Sequence, residues 1–232
     1  NTNEEKIYNF LYAKIRNHFG TSGLMGNLYA ESGLNPKNLQ NNGNKILGMT
    51  DDEYTKAVDN GTYTNFVRDS FGYSLAQWTY WNRKQNLLNY AKTCGCSIGD
   101  LEMALNFLVH ELQTSYKSVW NKLLSSTSVR QASDVVLTEF EKPADQSENV
   151  KIKRASYGQI YFEKYAQNKN QISNSEKSTT KYYRVQCGAF SNENHAKKLN
   201  NELKTKGFNC VIKKIDNLFK LQLGAYSNRD NA

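Results

Sequence analysis

The sequence is poor in residues that build metal centres, and it contains no long apolar segment. It has three histidines, four cysteines and two prolines among 232 residues. A membrane-spanning helix needs about 20 consecutive apolar residues; no such run occurs, so membrane insertion is not expected. The histidines are isolated and the cysteines lack the spacing of zinc ligands. We therefore predict a mostly reduced protein with no metal and no other cofactor.

The N-terminal segment shows neither the basic region nor the apolar core of a signal peptide. The chain begins at Asn1 rather than at Met, which leaves removal of an upstream segment open. Two locations are therefore expected. The protein either stays in the cytoplasm until the cell lyses, or it is exported.

Positive charge is concentrated towards the C-terminus. The formal net charge of the chain is +8, and residues 181–232 hold ten basic and four acidic residues, whereas residues 1–166 carry a net charge of only +1. Such a field attracts acidic polymers, among them cell walls, membranes and nucleic acids. No nucleic-acid-binding motif accompanies the charge, so nucleic acid is not an expected partner.

Residues 1–166 show the apolar period of helices, interrupted between Asn35 and Ser70 by a polar stretch typical of loops and a small hairpin. The first helix is expected to begin after Thr2 and to end near Gly20. We predict a mainly helical domain with a cleft beside an irregular lobe. Further helices are expected from Thr50 to Asn60, Tyr80 to Lys92, Asp100 to Leu112, Ser128 to Phe140 and Val150 to Ala166.

A linker and an internal repeat follow. Residues 167–180 contain one apolar residue, too little buried surface to offset the ordering entropy, and predict a flexible linker. The run Val185–Asn192 returns 36 residues later as Leu221–Asn228. Each copy predicts a strand leading to a serine that can cap a helix, which is the plan of a ferredoxin-like α+β domain. The second copy stops at Ala232 before its helix, so we expect the small domain, residues 181–232, to be incomplete.

One carboxylate falls on a helix face that should be buried. Leu24, Leu28 and Glu31 are spaced i, i+4, i+7 on a helix expected to begin at a cap within Thr21–Ser22 and to end at Gly33. Burial there would disfavour the ionised form of Glu31, as a general acid requires. The alternative is a structural glutamate that is hydrogen-bonded near a helix end.

Three blocks of the chain resemble the phage tail lysozymes, relatives of goose-type lysozymes and lytic transglycosylases. Gly23–Pro36 is similar to the segment around their catalytic glutamate, with Glu31 directly before a serine. Gly72–Thr79 resembles their Gly-Leu-x-Gln turn, and Phe140–Ala144 resembles their Tyr-Glu-Arg-Pro-Ala piece. The resemblance implies a lysozyme-like fold with Glu31 as the general acid.

The residues leave the second catalytic group open. An inverting glycosidase needs a base and a retaining one needs a nucleophile. Asp69 lies just before the Gly72–Thr79 turn, which the resemblance brings to the cleft, so Asp69 is the candidate; a loop-capping aspartate is the alternative. A third route follows the lytic transglycosylases that work with one glutamate and the acetamide of the substrate.

Polar and aromatic side chains of the turn are expected to bind substrate. Gln77 should hydrogen-bond either Glu31 or a sugar amide, with a backbone contact at a helix start as the alternative. Because aromatic faces suit sugar rings, we expect one of Tyr73, Trp78 and Tyr80 to contact glycan while the others pack in the core.

The Phe140–Ala144 block receives no catalytic role. Phe140 stands where the relatives have tyrosine, so the hydroxyl is missing. Glu139 and Glu141 flank it at a helix end, and surface ion pairs with Lys142 account for both carboxylates.

The run from Tyr183 to Ser191 resembles the SPOR domain, which binds peptidoglycan strands stripped of stem peptides. Together the resemblances imply a peptidoglycan hydrolase that cleaves the β-1,4 bond between N-acetylmuramic acid and N-acetylglucosamine. A lytic transglycosylase with 1,6-anhydro products, a glucosaminidase and an inactive glycan-binding protein are the alternatives. The same parts occur in phage or prophage endolysins against Gram-positive hosts and in bacterial autolysins.

Overall fold

A computed structural model describes residues 2–167, 183–208 and 210–226. The chain forms two compact units, Asn1–Asn168 and Lys169–Ala232. Residues 168–180 of the predicted linker lie outside the described residues. Across the part of the chain that is described, no helix is both long and apolar enough to cross a bilayer.

The first unit consists mostly of helices around one hydrophobic core, as predicted. Two of the helices continue into π-helical segments, Val136–Glu141 and Phe162–Gln167. Short helices at residues 41–47 and 117–125 were not predicted. The α-helices are α1 (Asn3–Ile15), α2 (His18–Ser32), α3 (Asn41–Leu47), α4 (Asp51–Asp59), α5 (Trp81–Cys94), α6 (Leu101–Thr114), α7 (Lys117–Ser125), α8 (Val129–Val135) and α9 (Glu148–Tyr161).

The junction of α1 and α2 differs from the prediction. Helix α1 ends at Ile15 because Arg16 adopts a left-handed conformation with φ of 56°. Asn17 then caps α2, its side-chain oxygen accepting a hydrogen bond from the Phe19 N–H at 2.8 Å. The expected cap within Thr21–Ser22 is wrong, because an asparagine one turn earlier satisfies the free N–H groups of the helix start.

Helix α2 is the central helix of the unit, and residues 20–28 are buried on every side. A Cβ added to Gly23 would lie 2.5 Å from the Ala132 Cβ on α8, and one added to Gly26 would lie 2.5 Å from the Arg154 carbonyl oxygen on α9. These glycines let α8 and α9 approach the α2 backbone. The expected one-sided apolar stripe is therefore wrong, since the whole middle of α2 is core.

The irregular segment after α2 packs against the end of that helix. The Ser32 hydroxyl donates a hydrogen bond to the Leu75 carbonyl oxygen at 2.9 Å. Tyr73 forms isolated β-bridges with Leu39 and Trp78, which gives the Gly72–Thr79 turn its shape. The contact from Ser32 brings the first two sequence blocks together.

The second unit is a three-stranded antiparallel sheet with one helix, consistent with the predicted small α+β domain. Its described elements are β1 (Tyr183–Phe190), α10 (Glu193–Thr205), β2 (Cys210–Ile215) and β3 (Leu218–Tyr226), in sheet order β1-β3-β2. Asn192, rather than the expected Ser191, caps α10 by accepting from the Asn194 N–H at 2.8 Å. The end of the second repeat copy, Ser227–Asn228, lies outside the described residues.

Gly26→Ala tests the close approach of α2 and α9. The new methyl must displace the Arg154 carbonyl and the backbone of Gly158, so we expect a loss of about 1–3 kcal/mol in the free energy of unfolding, measured by urea denaturation. The loss should appear even though alanine is the better helix former. The control Ala30→Ser, at an exposed position of the same helix, should change stability little; equal effects would argue against the crowding.

Candidate active site

Glu31 lies in the last turn of α2, where Gly33 caps the helix in a left-handed conformation. Its side chain is 19% exposed, so solvent reaches the carboxylate from one side. The expectation that Glu31 lies on a buried apolar helix face is corrected here, because its carboxylate is partly exposed and its neighbour is a guanidinium. The Arg154 Nη2 atom lies 2.5 Å from the Glu31 Oε1 atom.

A chain of buried polar groups holds Arg154 in place. The Arg154 side chain is 10% exposed, and its Nη1 donates to the Asn27 Oδ1 at 3.3 Å. The Asn27 amide in turn donates to the Ser133 carbonyl at 3.1 Å and to the Ser133 hydroxyl at 3.0 Å. Groups from α2, α8 and α9 thereby fix the orientation of Glu31, which the linear sequence did not indicate.

Glu141 is the functional candidate that sequence reasoning missed. It is the last residue of the Val136–Glu141 segment, and its Oε1 atom is buried without a hydrogen-bond partner. Burial raises the pKa of the Glu141 carboxyl well above its ordinary value, and the negative charge of Glu31 raises it further. The expected surface ion pair with Lys142 is wrong for Glu141. Glu139 does form a surface pair, with Lys122 at 2.5 Å.

A second polar network connects the Gly72–Thr79 turn to the Val136–Glu141 segment. The Trp78 Nε1 donates to the Glu111 Oε2 at 2.8 Å, and Arg83 binds both Glu111 oxygens at 2.7 Å. The Arg83 guanidinium lies 4.7 Å from the centre of the Phe140 ring, a cation–π distance. Trp78 is therefore a buried member of this network, and its ring faces are not accessible to a sugar.

Asp69 does not have the surroundings of a water-activating base. Its side chain is 1% exposed and ion-paired to the buried Lys84, while the Tyr54 and Tyr63 hydroxyls donate to its Oδ2 at 2.5 and 3.1 Å. Burial lowers the pKa of Lys84, and the contact with Asp69 opposes that shift. The structure favours the structural alternative for Asp69.

The remaining predicted residues divide into core and surface. Tyr73 is fully buried and its hydroxyl lies 2.6 Å from that of Thr55, so Tyr73 is not a sugar platform. The Gln77 Nε2 donates to the carbonyl oxygens of Asn38 and Ser74 at 3.0 and 3.1 Å and to the Asn38 Oδ1 at 3.0 Å. Gln77 therefore binds backbone as the structural alternative had it, but within a loop and turn rather than at a helix start. Tyr80 is 72% exposed, and of the three aromatic candidates it is the one open to a ligand.

No group of three or more His, Cys, Asp or Glu residues within the described ranges could hold a metal ion. The four cysteines are free thiols, with Cys94 and Cys96 exposed. The charged groups that the structure brings together at the end of α2 are the Glu31 carboxylate and the Arg154 guanidinium.

Comparison with protein families gives two matches. The model of the phage tail lysozyme family matches residues 2–184, and that of the SPOR domain matches residues 179–232. No curated protein sequence matches the chain at a significant level. The two matched regions have the order predicted from the sequence.

Asp69→Asn separates a structural from a catalytic role. The substitution leaves the Lys84 ammonium buried without its counter-ion, so we expect a loss of about 3–5 kcal/mol in the free energy of unfolding, measured by urea denaturation. Activity per folded molecule, measured well below the melting temperature, should be retained. Asp52→Asn breaks an exposed pair with Lys37 and should change stability little. A fully stable but inactive Asp69→Asn protein would restore the catalytic role.

Proposed function

This chain belongs to the phage tail lysozyme family, and we propose that it cleaves the β-1,4 bond between N-acetylmuramic acid and N-acetylglucosamine with Glu31 as the general acid. The observation that carries the proposal is the placement of Glu31: a partly exposed carboxyl at the end of the central helix, oriented by Arg154. A general acid of this kind protonates the leaving oxygen as the glycosidic bond breaks.

The surroundings of Glu31 support a route with one catalytic glutamate. Asp69 is enclosed by Lys84 and two tyrosine hydroxyls, so it does not serve as the second group. The acetamide of the substrate then stabilises the reacting carbon, and Glu31 returns as the base. Water as the acceptor gives a lysozyme, and the substrate's own C6 hydroxyl gives a lytic transglycosylase.

Exposed aromatic side chains beside the turn supply the sugar platform. Tyr80 is 72% exposed, and Trp81, which the sequence analysis did not consider, is 64% exposed at the first position of α5. Exposed apolar surface bordered by polar residues often marks a ligand-binding groove. We assign both to contacts with the glycan strand.

The SPOR domain makes the protein a cell-wall-acting one, and we propose that its basic character adds electrostatic attraction to the wall. Lys213 and Lys214 are exposed on β2, within a region of net charge +6. The linker predicted at residues 167–180 lets the catalytic domain search while the second domain holds the wall. Such an arrangement suits an endolysin released by lysis.

Glu31→Gln removes the transferable proton while preserving side-chain shape. We expect the rate of wall clearance, measured as loss of turbidity, to fall by about 10²–10⁴-fold. Glu139→Gln, at a surface pair, should clear walls at the parent rate. If Glu31→Gln cleared walls equally fast, Glu31 would not be the general acid.

Mass spectrometry of the parent protein's products separates the remaining alternatives. Reducing N-acetylmuramic acid ends identify a lysozyme, 1,6-anhydro ends a lytic transglycosylase, and reducing N-acetylglucosamine ends a glucosaminidase. No cleavage by the parent protein would leave a glycan-binding protein.

Charge reversal tests the electrostatic part of wall binding. Lys213→Glu with Lys214→Glu should weaken co-sedimentation with purified walls at low salt. The difference from the parent protein should shrink between 0.1 M and 1 M salt, as the Debye length falls from about 10 to about 3 Å. Lys92→Glu, on the nearly neutral catalytic domain, is the control and should bind as the parent does. Salt-independent binding by all three proteins would contradict the charge argument.

A further inference from the structure

Helices α5 and α6 enclose a cavity that the proposed mechanism does not use. Its volume is about 330 Å³, which lies at the lower end of the range found for small-molecule sites. The residues that line it belong to α5, to α6 or to the position directly after α6, Ser115. Helices α2 and α9, which carry Glu31 and Arg154, contribute none of them. The cavity is therefore built separately from the candidate active site.

The charge on the wall of this cavity is already compensated. Among the described residues that line it, Glu111 is the only carboxylate, and there is no lysine or arginine. Arg83 donates to both Glu111 oxygens at 2.7 Å, and the Trp78 Nε1 donates to one of them at 2.8 Å. A cationic ligand would find this carboxylate engaged, and an anionic one would find no basic side chain of these two types. Because an unpaired charge is costly where water is partly excluded, the cavity suits an uncharged ligand.

Polar side chains along the cavity supply both donors and acceptors. Asn86 and Asn89 are exposed, and the amide nitrogen of each carries two N–H donors. The Asn89 Oδ1 accepts from the Gln85 Nε2 at 2.9 Å, so its nitrogen is the part left for a ligand. The Thr93 and Thr114 hydroxyls donate to backbone carbonyls of their own helices at 2.9 and 2.7 Å. Their protons are thus in use, and their oxygens keep lone pairs that can accept.

Aromatic rings form the apolar part of the wall. Phe107 is buried, and the half-buried Tyr90 ring lies 5.6 Å from it and 5.9 Å from the His110 ring. Such rings pack against the apolar C–H face of a sugar. A pyranose with an acetamide combines that face with hydroxyl donors and an amide oxygen, which is the complement of the groups along the cavity.

We propose that the α5–α6 cavity is an accessory binding site for an uncharged N-acetylated amino sugar of the N-acetylglucosamine type. The Asn86 and Asn89 nitrogens donate to its acetamide and hydroxyl oxygens, and the Thr93 and Thr114 oxygens accept from its hydroxyl groups. The site holds a sugar of the wall without cleaving it, so the inference goes beyond the proposed role of Glu31 and does not depend on it.

A stem peptide of the wall is the competing occupant. It carries free carboxylate and ammonium groups, for which the cavity has neither a lysine or arginine nor an available carboxylate. The compensated charge therefore favours the sugar.

NMR titration of the full ¹⁵N-labelled chain with N-acetylglucosamine tests the site. We expect saturable shifts of the Asn86 and Asn89 side-chain amide signals and of backbone amides in α5 and α6. The dissociation constant should lie in the millimolar range of a single small sugar. Glucose has no acetamide and should bind there about fivefold more weakly or less. Because the signals are resolved by residue, binding to the SPOR domain is recorded separately.

Asn86→Ala removes one carboxamide at an exposed helix position, where alanine supports the fold. The dissociation constant for N-acetylglucosamine should rise about fivefold or more. Gln113→Ala is the matched control, because Gln113 is exposed on α6 and does not line the cavity; it should bind as the parent does.

Any of three results would overturn the inference. The first is the lack of shifts in α5 and α6 when the sugar is added, and the second is an unchanged affinity in Asn86→Ala. The third is tighter binding at these signals by glucose, or by an acidic dipeptide of alanine and glutamate, than by N-acetylglucosamine. Undiminished wall clearance by Glu31→Gln would refute the proposed function and leave these signals as they are, so the two proposals fail separately.

Discussion

The ion pair between Arg154 and Glu31 is the interaction on which the site depends. It joins α9 to the end of α2 at a place where Gly26 allows the two backbones to meet. Both partners are largely withdrawn from solvent, so each depends on the other to offset its desolvation. Asn27, which lies on α2 like Glu31, accepts a hydrogen bond from the arginine and stabilises it. The Gly26 contact and the Glu31–Arg154 ion pair thus belong to the same packing of α2 against α9.

The three sequence blocks are connected by side-chain contacts. In the proposed mechanism, only the first block supplies a group that contacts substrate. Ser32 bonds the turn at Leu75. Trp78 then holds Glu111, and Glu111 holds the Arg83 that lies over Phe140. Trp78 of the turn and Phe140 of the third block are therefore buried structural residues, and the Glu111–Arg83 pair connects them.

Local signals predicted the helices and several of their caps, because capping and apolar period are properties of neighbouring residues. The helix expected from Thr50 does begin there, and Thr50 and Glu53 form a capping box. The sequence could not show that α2 is buried on all sides, since that follows from the packing of α7, α8 and α9 around it. The ion pair of Asp69 was hidden for the same reason: Lys84 lies 15 residues away and becomes its partner only in the fold. Glu141 was expected to form a surface ion pair because the burial of its Oε1 atom has no local signature.

A single catalytic glutamate must hold a proton at the start of the reaction and accept one at its end. In the proposed mechanism the ion pair with Arg154 holds the Glu31 side chain in one orientation for both tasks. Asp69 and Glu111 are each engaged by a cation, Lys84 and Arg83 respectively. One side chain therefore carries both steps in the proposed mechanism, first as acid and then as base.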